Sequence, residues 1–395
     1  MTRLRISTTL IPLLAGATLA SSALAEDGEP ITIGAAIALS GIVQAYDADP
    51  ARAAEMAIAD INAEGGVMGR TLEMIYADTR SDFAQGAIAG MEVMDNGADI
   101  VIVTGDFDFG GAAARAANGR GVLAISPFAA DPLFGVEGIG PYAFTFATAS
   151  VSSGTIMAEW AYDQGWRTAY VLTQTTIQYD QSVTEAFVAR WTELAGADAL
   201  LGQDVFDIDE TSISAQITRL NSLPEQPDFM VLSAFTPAGP SALRQIRAAG
   251  IDIPVLSAED MDGDYWLDTV PGLSDFYFVA LGSLFGDDPR PEINDFIARF
   301  TAEHGDHPST AHTLTGYSAI QAVARAIERA GSTDGNALKA EFEAFDEEPL
   351  LVGPTTFTED THINFYRPMV VMQVQDGTHS AVELRSPEAI PGQPR

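Results

Sequence analysis

Residues 53–78 read AAEMAIADINAEGGVMGRTLEMIYAD, and this stretch decides the fold class. Apolar residues recur in it at helical spacing, which predicts an amphipathic helix over residues 50–63. The glycine pair at 65–66 is typical of a helix C-terminus, and the apolar run at 71–77 has the length of a strand. With a further strand predicted at 31–39, the order is strand, helix, strand, which favours a parallel sheet.

The same alternation continues along the chain. One series of strands and helices covers residues 31–125, and a second series of similar length starts near residue 150 and runs to 256. The later chain carries three helical segments and two short strands, at 292–303, 313–330, 336–345, 355–357 and 369–374. We interpret the chain as α/β, with two Rossmann-like lobes that the late segments complete. The polar, proline-rich end at 386–395 is predicted to be a loose tail.

Composition excludes several classes of function. The 395 residues carry 20 basic and 55 acidic side chains, a formal charge of −35, which repels nucleic acid. The chain has no cysteine, so disulfides, thiolate metal sites and lipid attachment at an N-terminal cysteine are excluded.

The N-terminus has the pattern of a signal peptide. Arg3 and Arg5 precede an apolar run at residues 6–20, and an Ala-Leu-Ala sequence ends at Ala25. A positive start, a short apolar run and a small-x-small site predict cleavage between Ala25 and Glu26. We therefore expect residues 1–25 to be removed and the mature protein to lie free in a periplasm, not as a lipoprotein.

Candidate ligand contacts follow the predicted strands. Ligands of open α/β sheets bind beyond the carboxyl ends of the strands. Aromatic and acidic side chains recur at those positions in six segments, at 40–46, 104–111, 126–130, 178–180, 233–237 and 257–260. The sequence therefore predicts a polar and aromatic cleft shared by two lobes.

Four segments carry a resemblance to a known family. They are ITIGAAIALSG at 31–41, the stretch at 53–78, VLAISPFAADP at 122–132 and LRQIRAAGIDIPVLSAED at 243–260. The chain resembles the leucine/isoleucine/valine-type periplasmic binding proteins of ABC transporters, a group that includes amide and urea receptors. The resemblance extends from about residue 30 to about residue 383.

The resemblance implies a type I periplasmic binding fold, in which two lobes joined by three crossovers close on a ligand. The crossovers are expected near 146–150, 279–282 and 357–365. The lobes are expected to comprise 30–148 plus 282–357 and 149–281 plus 358–383.

The resemblance also implies roles for single residues. Glu259 matches the acidic residue that pairs with a ligand amino group. The other matching positions are the lining residues Tyr46, Tyr179 and Phe235 and a loop that offers backbone hydrogen bonds, Phe128, Ala129 and Ala130. The alternatives are plain packing for the aromatic rings and a solvated loop carboxylate for Glu259.

One loop departs from the family. Amino-acid binders usually carry small hydroxyl residues after the third strand, where this chain has Asp106, Phe107 and Asp108. We interpret Asp108 as the N-cap of a helix over 110–118, which does not exclude ligand contact. Two carboxylates there repel an anionic head group. The alternative ligand is therefore a cationic or quaternary-ammonium solute, held by Asp106, Glu259 and aromatic rings that include Phe107.

No catalytic or metal motif is recognised. Residues 257–266 resemble a calcium loop but fail its spacing, and His304, His307 and His312 are interpreted as a solvated helix end. Neither a metal nor a cofactor nor catalytic residues are expected, so the chain is not interpreted as an enzyme.

The sequence thus predicts the substrate-binding component of an ABC transporter, which captures an amino acid or a related small polar amine or amide. Its expected partners are that ligand and a membrane permease, and the protein itself is expected to be monomeric. Two alternatives stay open: an exported sensor for a receptor kinase or chemoreceptor, and an exported hydrolase that uses the carboxylates of Asp106 and Glu259.

Overall fold

Two β-sheets organise the fold in the computed structural model, which describes residues 28–393. The predicted signal peptide lies outside the described residues. The first sheet holds five strands: β1 (Ile31–Ile37), β2 (Leu72–Asp78), β3 (Ile100–Val103), β4 (Leu123–Ser126) and β5 (Ala143–Thr145). Their order is β2-β1-β3-β4-β5, and all neighbours are parallel.

The second sheet is larger and has an antiparallel edge. The remaining strands are β6 (Ala169–Gln174), β7 (Leu200–Phe206), β8 (Phe229–Ser233), β9 (Val255–Ser257), β10 (Phe276–Ala280), β11 (Glu348–Leu350), β12 (Gly353–Thr355), β13 (Met369–Gln375) and β14 (Thr378–Arg385). The sheet order is β14-β13-β10-β9-β8-β6-β7, with β13 antiparallel to both its neighbours. Strands β11 and β12 form a separate hairpin.

Helices cover both faces of each sheet. They are α1 (Gln44–Ala63), α2 (Phe83–Asp95), α3 (Phe107–Gly119), α4 (Ser150–Asp163), α5 (Gln178–Ala195), α6 (Ser214–Asn221), α7 (Ala238–Ala248), α8 (Pro291–His304), α9 (Thr313–Ala330) and α10 (Gly335–Glu343). In the first sheet, α1 and α9 pack on one face and α2 and α3 on the other. In the second, α4 and α5 lie opposite α6 and α7. One core cluster includes α1, α9, α4 and α5, so it is continuous between the two halves.

Helices α1 and α9 pack closely against each other. A Cβ at Gly316 would lie 2.1 Å from the carbonyl oxygen of Pro50, a distance that no side chain tolerates. Glycine therefore lets the two backbones meet, and this contact fixes the position of α1, whose first turn reaches the cleft.

The chain passes between the two sheets three times, at residues 146–149, 281–290 and 356–368. The predicted two-lobed α/β class with three crossovers is confirmed. The first and third connections are bonded to each other, because the Ala149 amide donates to the Asn364 carbonyl over 2.8 Å. The buried Arg367 guanidinium adds bonds to the carbonyls of Phe146 and Pro354, at 2.5 and 3.2 Å.

Several elements differ from the predicted ones. Helix α1 begins at Gln44, six residues before the predicted start at 50, and α5 begins at Gln178. The short strand β5 and the edge strand β14 were not predicted.

The predicted loose tail packs against the molecule as far as the structure describes it. Ile390 is buried, and the amides of Glu388 and Ala389 donate to the carboxylate of Glu159, at 2.9 and 3.3 Å. These bonds hold the polar tail in place because the buried Glu159 carboxylate needs hydrogen-bond donors.

Candidate ligand-binding site

A cavity lies between the carboxyl ends of the two sheets. Its lining residues are Tyr46, Gly105, Asp106, Phe128, Ala130, Tyr179, Phe235, Glu259, Asp260 and His312. Seven of the ten predicted site residues are among them: Tyr46, Asp106, Phe128, Ala130, Tyr179, Phe235 and Glu259. Their contact with a ligand stays a prediction.

Four aromatic rings from both lobes wall the cavity. Tyr46, in the first turn of α1, stacks on Phe235 with ring centroids 4.4 Å apart. Its hydroxyl donates to the carbonyl of Asp260 over 2.8 Å, which joins the lobes. Tyr179, in the first turn of α5, accepts the Glu259 amide at its hydroxyl, and Phe128 is the fourth ring. Helix N-terminal turns, rather than loops, thus carry both tyrosines.

Glu259 has an unused oxygen in the cavity wall. Its side chain is 2% exposed and follows β9 in a short 3-10 turn, Glu259–Met261. One carboxylate oxygen lies 3.2 Å from Nε2 of His312, whereas Oε1 has no hydrogen-bond partner within residues 28–393. A buried carboxylate oxygen without a donor is costly, so this atom is available to a ligand donor.

Asp106, not Asp108, caps helix α3. Asp106 Oδ1 accepts the amides of Asp108 and Phe109 at 2.8 and 3.2 Å, so the predicted cap at Asp108 is wrong and the helix starts three residues earlier. Burial, together with the negative charge of Asp108, raises the pKa of Asp106 to about 7. The Asp108 carboxylate instead accepts the amide of Gln178 in the opposite lobe, at 2.8 Å.

Two other predicted residues do not line the cavity. Phe107 packs against the outer helices, with the Arg115 guanidinium 5.4 Å from its ring centroid. Ala129 is fully buried, and its amide donates to Ser126 Oγ at 2.8 Å. The Ala129 amide is therefore not available to a ligand, whereas Phe128 and Ala130 of the same loop line the cavity.

His312 is the main residue that the sequence interpretation missed. It is 3% exposed, and its ring stacks on Phe128 with centroids 4.3 Å apart, so its placement in a solvated helix end is wrong. His304 is exposed, and His307 pairs with Asp264 at 3.3 Å on the surface side. The charge pattern HGDHPSTAH gave no signal that separates His312 from its neighbours.

Gly105 and Asp260 were also missed as lining residues. A Cβ at Gly105 would meet the Phe128 ring at 2.0 Å, so only glycine leaves that ring its place. The Asp260 carboxylate accepts the amides of Ala234 and Ala258 at 2.6 and 3.1 Å. Asp260 thereby fixes the two loops that carry Phe235 and Glu259.

A layer of buried acids supports the lining. The Asp47 carboxylate accepts the amides of Ala38 and Gly105, which ties α1 to the ends of β1 and β3. Burial raises its pKa to about 6. Asp180 lies beneath the cleft beside Asp260, and burial with the charge of Asp260 raises the pKa of Asp180 well above its ordinary value.

The two lobes are closed on each other. Besides Tyr46 and Asp108, Asp262 accepts the Ala311 amide at 2.6 Å, and Asp131 accepts the Ser182 hydroxyl. No group of three or more metal-ligating side chains is assembled within residues 28–393. In the same part of the chain, no helix combines the length and the apolar character needed to cross a bilayer.

Comparison with known proteins identifies the family. A sequence model of the periplasmic binding protein family matches residues 30–378. The chain belongs to the periplasmic binding protein family. This is a family of binding proteins, not of enzymes, and its name refers to the periplasm.

Similar proteins are named as amino-acid-binding or solute-binding proteins. A Leu/Ile/Val-binding protein homologue from Brucella melitensis is 25% identical, over 86% of this chain and 89% of the relative. The substrate-binding protein LivJ from Streptococcus pneumoniae, solved in complex with isoleucine, aligns with TM-score 0.80 and 21% identity, over 91% of this chain and all of LivJ. A solute-binding protein of an ABC transporter from R. palustris, solved with benzoate, aligns with TM-score 0.76 and 17% identity, over 92% and 98% of the two chains.

Proposed function

We propose that this periplasmic binding protein is the solute-binding component of an ABC transporter and captures a small polar solute that carries an amino group. The observation that carries the proposal is Glu259, whose buried Oε1 lines the cavity without a donor. A ligand ammonium supplies the missing donor and the missing positive charge. The names of the relatives, which bind leucine, isoleucine and valine, agree with an amino-bearing ligand.

Capture proceeds by closure of two lobes. We assign residues 30–148 plus 282–357 to one body and 149–281 plus 358–383 to the other. Tyr46, Asp106 and Phe128 belong to the first body, and Tyr179, Phe235 and Glu259 to the second. A ligand that touches both sets binds the closed form more tightly than the open form, so it shifts the population toward closure.

Export and delivery complete the proposal. Residues 1–25 act as a cleaved signal peptide, and the mature monomer, without a lipid anchor, carries its ligand to a membrane permease. The bilobed trap also serves receptor kinases and chemoreceptors, and the ABC role is favoured because the structural neighbours from S. pneumoniae and R. palustris are transporter proteins.

A thermal-shift screen of amino acids, amides and amines, followed by small-angle scattering with each hit, tests this function. We expect a raised unfolding midpoint and a smaller radius of gyration with an amino-bearing solute, because a ligand that binds only the native, closed form stabilises it.

Glu259→Gln isolates the proposed contact. The change removes the charge but keeps the shape, and we expect the dissociation constant to rise on the order of 100-fold, since losing one partner of a buried charge pair costs about 2–5 kcal/mol. Glu292→Gln is the control, because Glu292 is an exposed carboxylate on α8. Titration calorimetry on both variants measures the difference, and equal affinities would remove Glu259 from the binding site.

A further inference from the structure

Resting on the proposed function, we infer that the ligand is a compact organic cation without a carboxylate group, such as a primary or methylated amine. The inference concerns which ligand groups the cavity excludes as well as which it binds. Three features carry it: amides at the start of α3 are already occupied, the lining has a negative charge, and four aromatic rings surround the space.

Several amides near the cavity already bind groups of the protein itself. The N-terminus of α3 is a natural anion site, but Asp106 Oδ1 fills it by accepting two of its amides. The Ala129 amide is bonded to Ser126, and the Glu259 amide to the Tyr179 hydroxyl. At the start of α3, a ligand carboxylate therefore meets the Asp106 carboxylate.

The charge of the lining also favours a positively charged ligand. Asp106, Glu259 and Asp260 are acidic, and neither lysine nor arginine occurs among the ten lining residues. His312 is the lining residue whose side chain can carry a positive charge, and its Nε2 already lies 3.2 Å from the Glu259 carboxylate. The buried Arg367 directs its guanidinium to backbone carbonyls and a threonine hydroxyl instead. A positive ligand is the counter-charge that this set lacks.

An independent observation supports a ligand site at the acidic lining residues Asp106, Glu259 and Asp260. Glu259 Oε1 is buried in the cavity wall and has no partner in the described part of the chain, although Asp260 next to it is fully bonded. The aromatic rings of Tyr46, Phe128, Tyr179 and Phe235 line the same space, and such rings attract ammonium groups.

Two matched pairs of probes test the inference on the wild-type protein. Choline differs from glycine betaine, and isoamylamine from leucine, in having no carboxylate. By titration calorimetry at pH 8, above the Asp106 pKa of about 7, we expect at least one carboxylate-free member to bind on the order of 100-fold more tightly than its partner.

The outcomes separate this inference from the proposed function. Tighter binding of betaine or leucine overturns the inference and leaves the proposed function intact. If none of the four probes binds and the wider screen also finds no ligand, both fail.

Asp106→Asn tests the structural cause. Asparagine keeps the N-cap of α3 but removes the negative charge, so we expect the preference for the carboxylate-free probe to fall about 10-fold, through weaker cation binding. Asp82→Asn is the matched control, because Asp82 caps α2 in the same way, outside the cavity. An unchanged preference in Asp106→Asn, with the fold verified by its melting curve, contradicts the assigned role.

Discussion

Asp106 combines two roles that are usually kept apart. As an N-cap it satisfies amides at the start of α3, and as a lining residue it places a carboxylate in the cavity. Both amides go to one oxygen, Oδ1, so the cap does not use the whole group. Its neighbours Asp108 and Asp131 are acidic, and their charges add to the effect of burial on its pKa. Asp106 is therefore a group whose charge a ligand can control.

The raised pKa of Asp106 predicts how stability depends on pH without ligand. Its pKa is about 7 in the folded chain and 3.8 ordinarily, so between these values the folded state binds more protons than the unfolded state. The free energy of unfolding therefore falls as pH rises from about 4 to about 7, and Asp47 and Asp262, both with pKa about 6, act with the same sign. We expect Asp106→Asn to show a smaller loss than wild type between pH 5 and pH 7. Chemical denaturation at both pH values measures it, and an equal loss in both proteins would contradict the assignment.

At the scale of elements, the contact between α1 and α9 determines where Tyr46 stands. Gly316→Ala places a methyl group against the Pro50 carbonyl, which belongs to the backbone and has little freedom to move. We expect a loss of about 1–3 kcal/mol in the free energy of unfolding, as for other overpacked cores. Gly119→Ala at the end of α3 is the control, because a Cβ there meets nothing within 4 Å. Equal stability of the two variants in denaturant melts would show that the helices separate without cost.

The sequence predicted the order of elements well and the ends of helices less well. Apolar periodicity located β1 and α1, but the prediction began that helix at Pro50, a residue typical of first helical turns. In the structure Pro50 lies in the second turn, so Tyr46 is helical. The edge strand β14 was missed although it pairs with β13 in a hairpin, whose two-residue turn Asp376-Gly377 is a local sequence signal.

The cavity shows the same division between local and tertiary information. Positions after strands led to Tyr179, Phe235 and Glu259, because the carboxyl ends of parallel strands meet at one edge. His312 precedes α9, follows no strand, and reaches Glu259 only through the second crossover. Phe107 was misplaced because the helix cap was assigned to Asp108, which shifted the start of α3 and hence the direction of its first side chains.

At the scale of the whole molecule, Arg367 ties two of the three crossovers together. Burial lowers its pKa to about 9, and its donors serve Phe146, Pro354 and Thr355. Arg367→Met leaves these buried acceptors without donors, and we expect a loss of about 2–4 kcal/mol in stability. Arg120→Met, which removes an exposed ion pair with Asp95, is the control and should cost less than about 1 kcal/mol. Equal unfolding midpoints of the two variants in thermal melts would show that the crossovers do not depend on the Arg367 guanidinium.

The rim contact between Asp108 and the Gln178 amide opens whenever the halves part. A single thiol introduced beside it would be unique, because the natural chain has none. An environment-sensitive dye attached there would leave water as the halves meet, so its brightness would follow solute concentration. The protein is thereby a scaffold for an optical sensor. The brightness of a dye beside Asp108 gives the signal, and the cavity lining determines the selectivity.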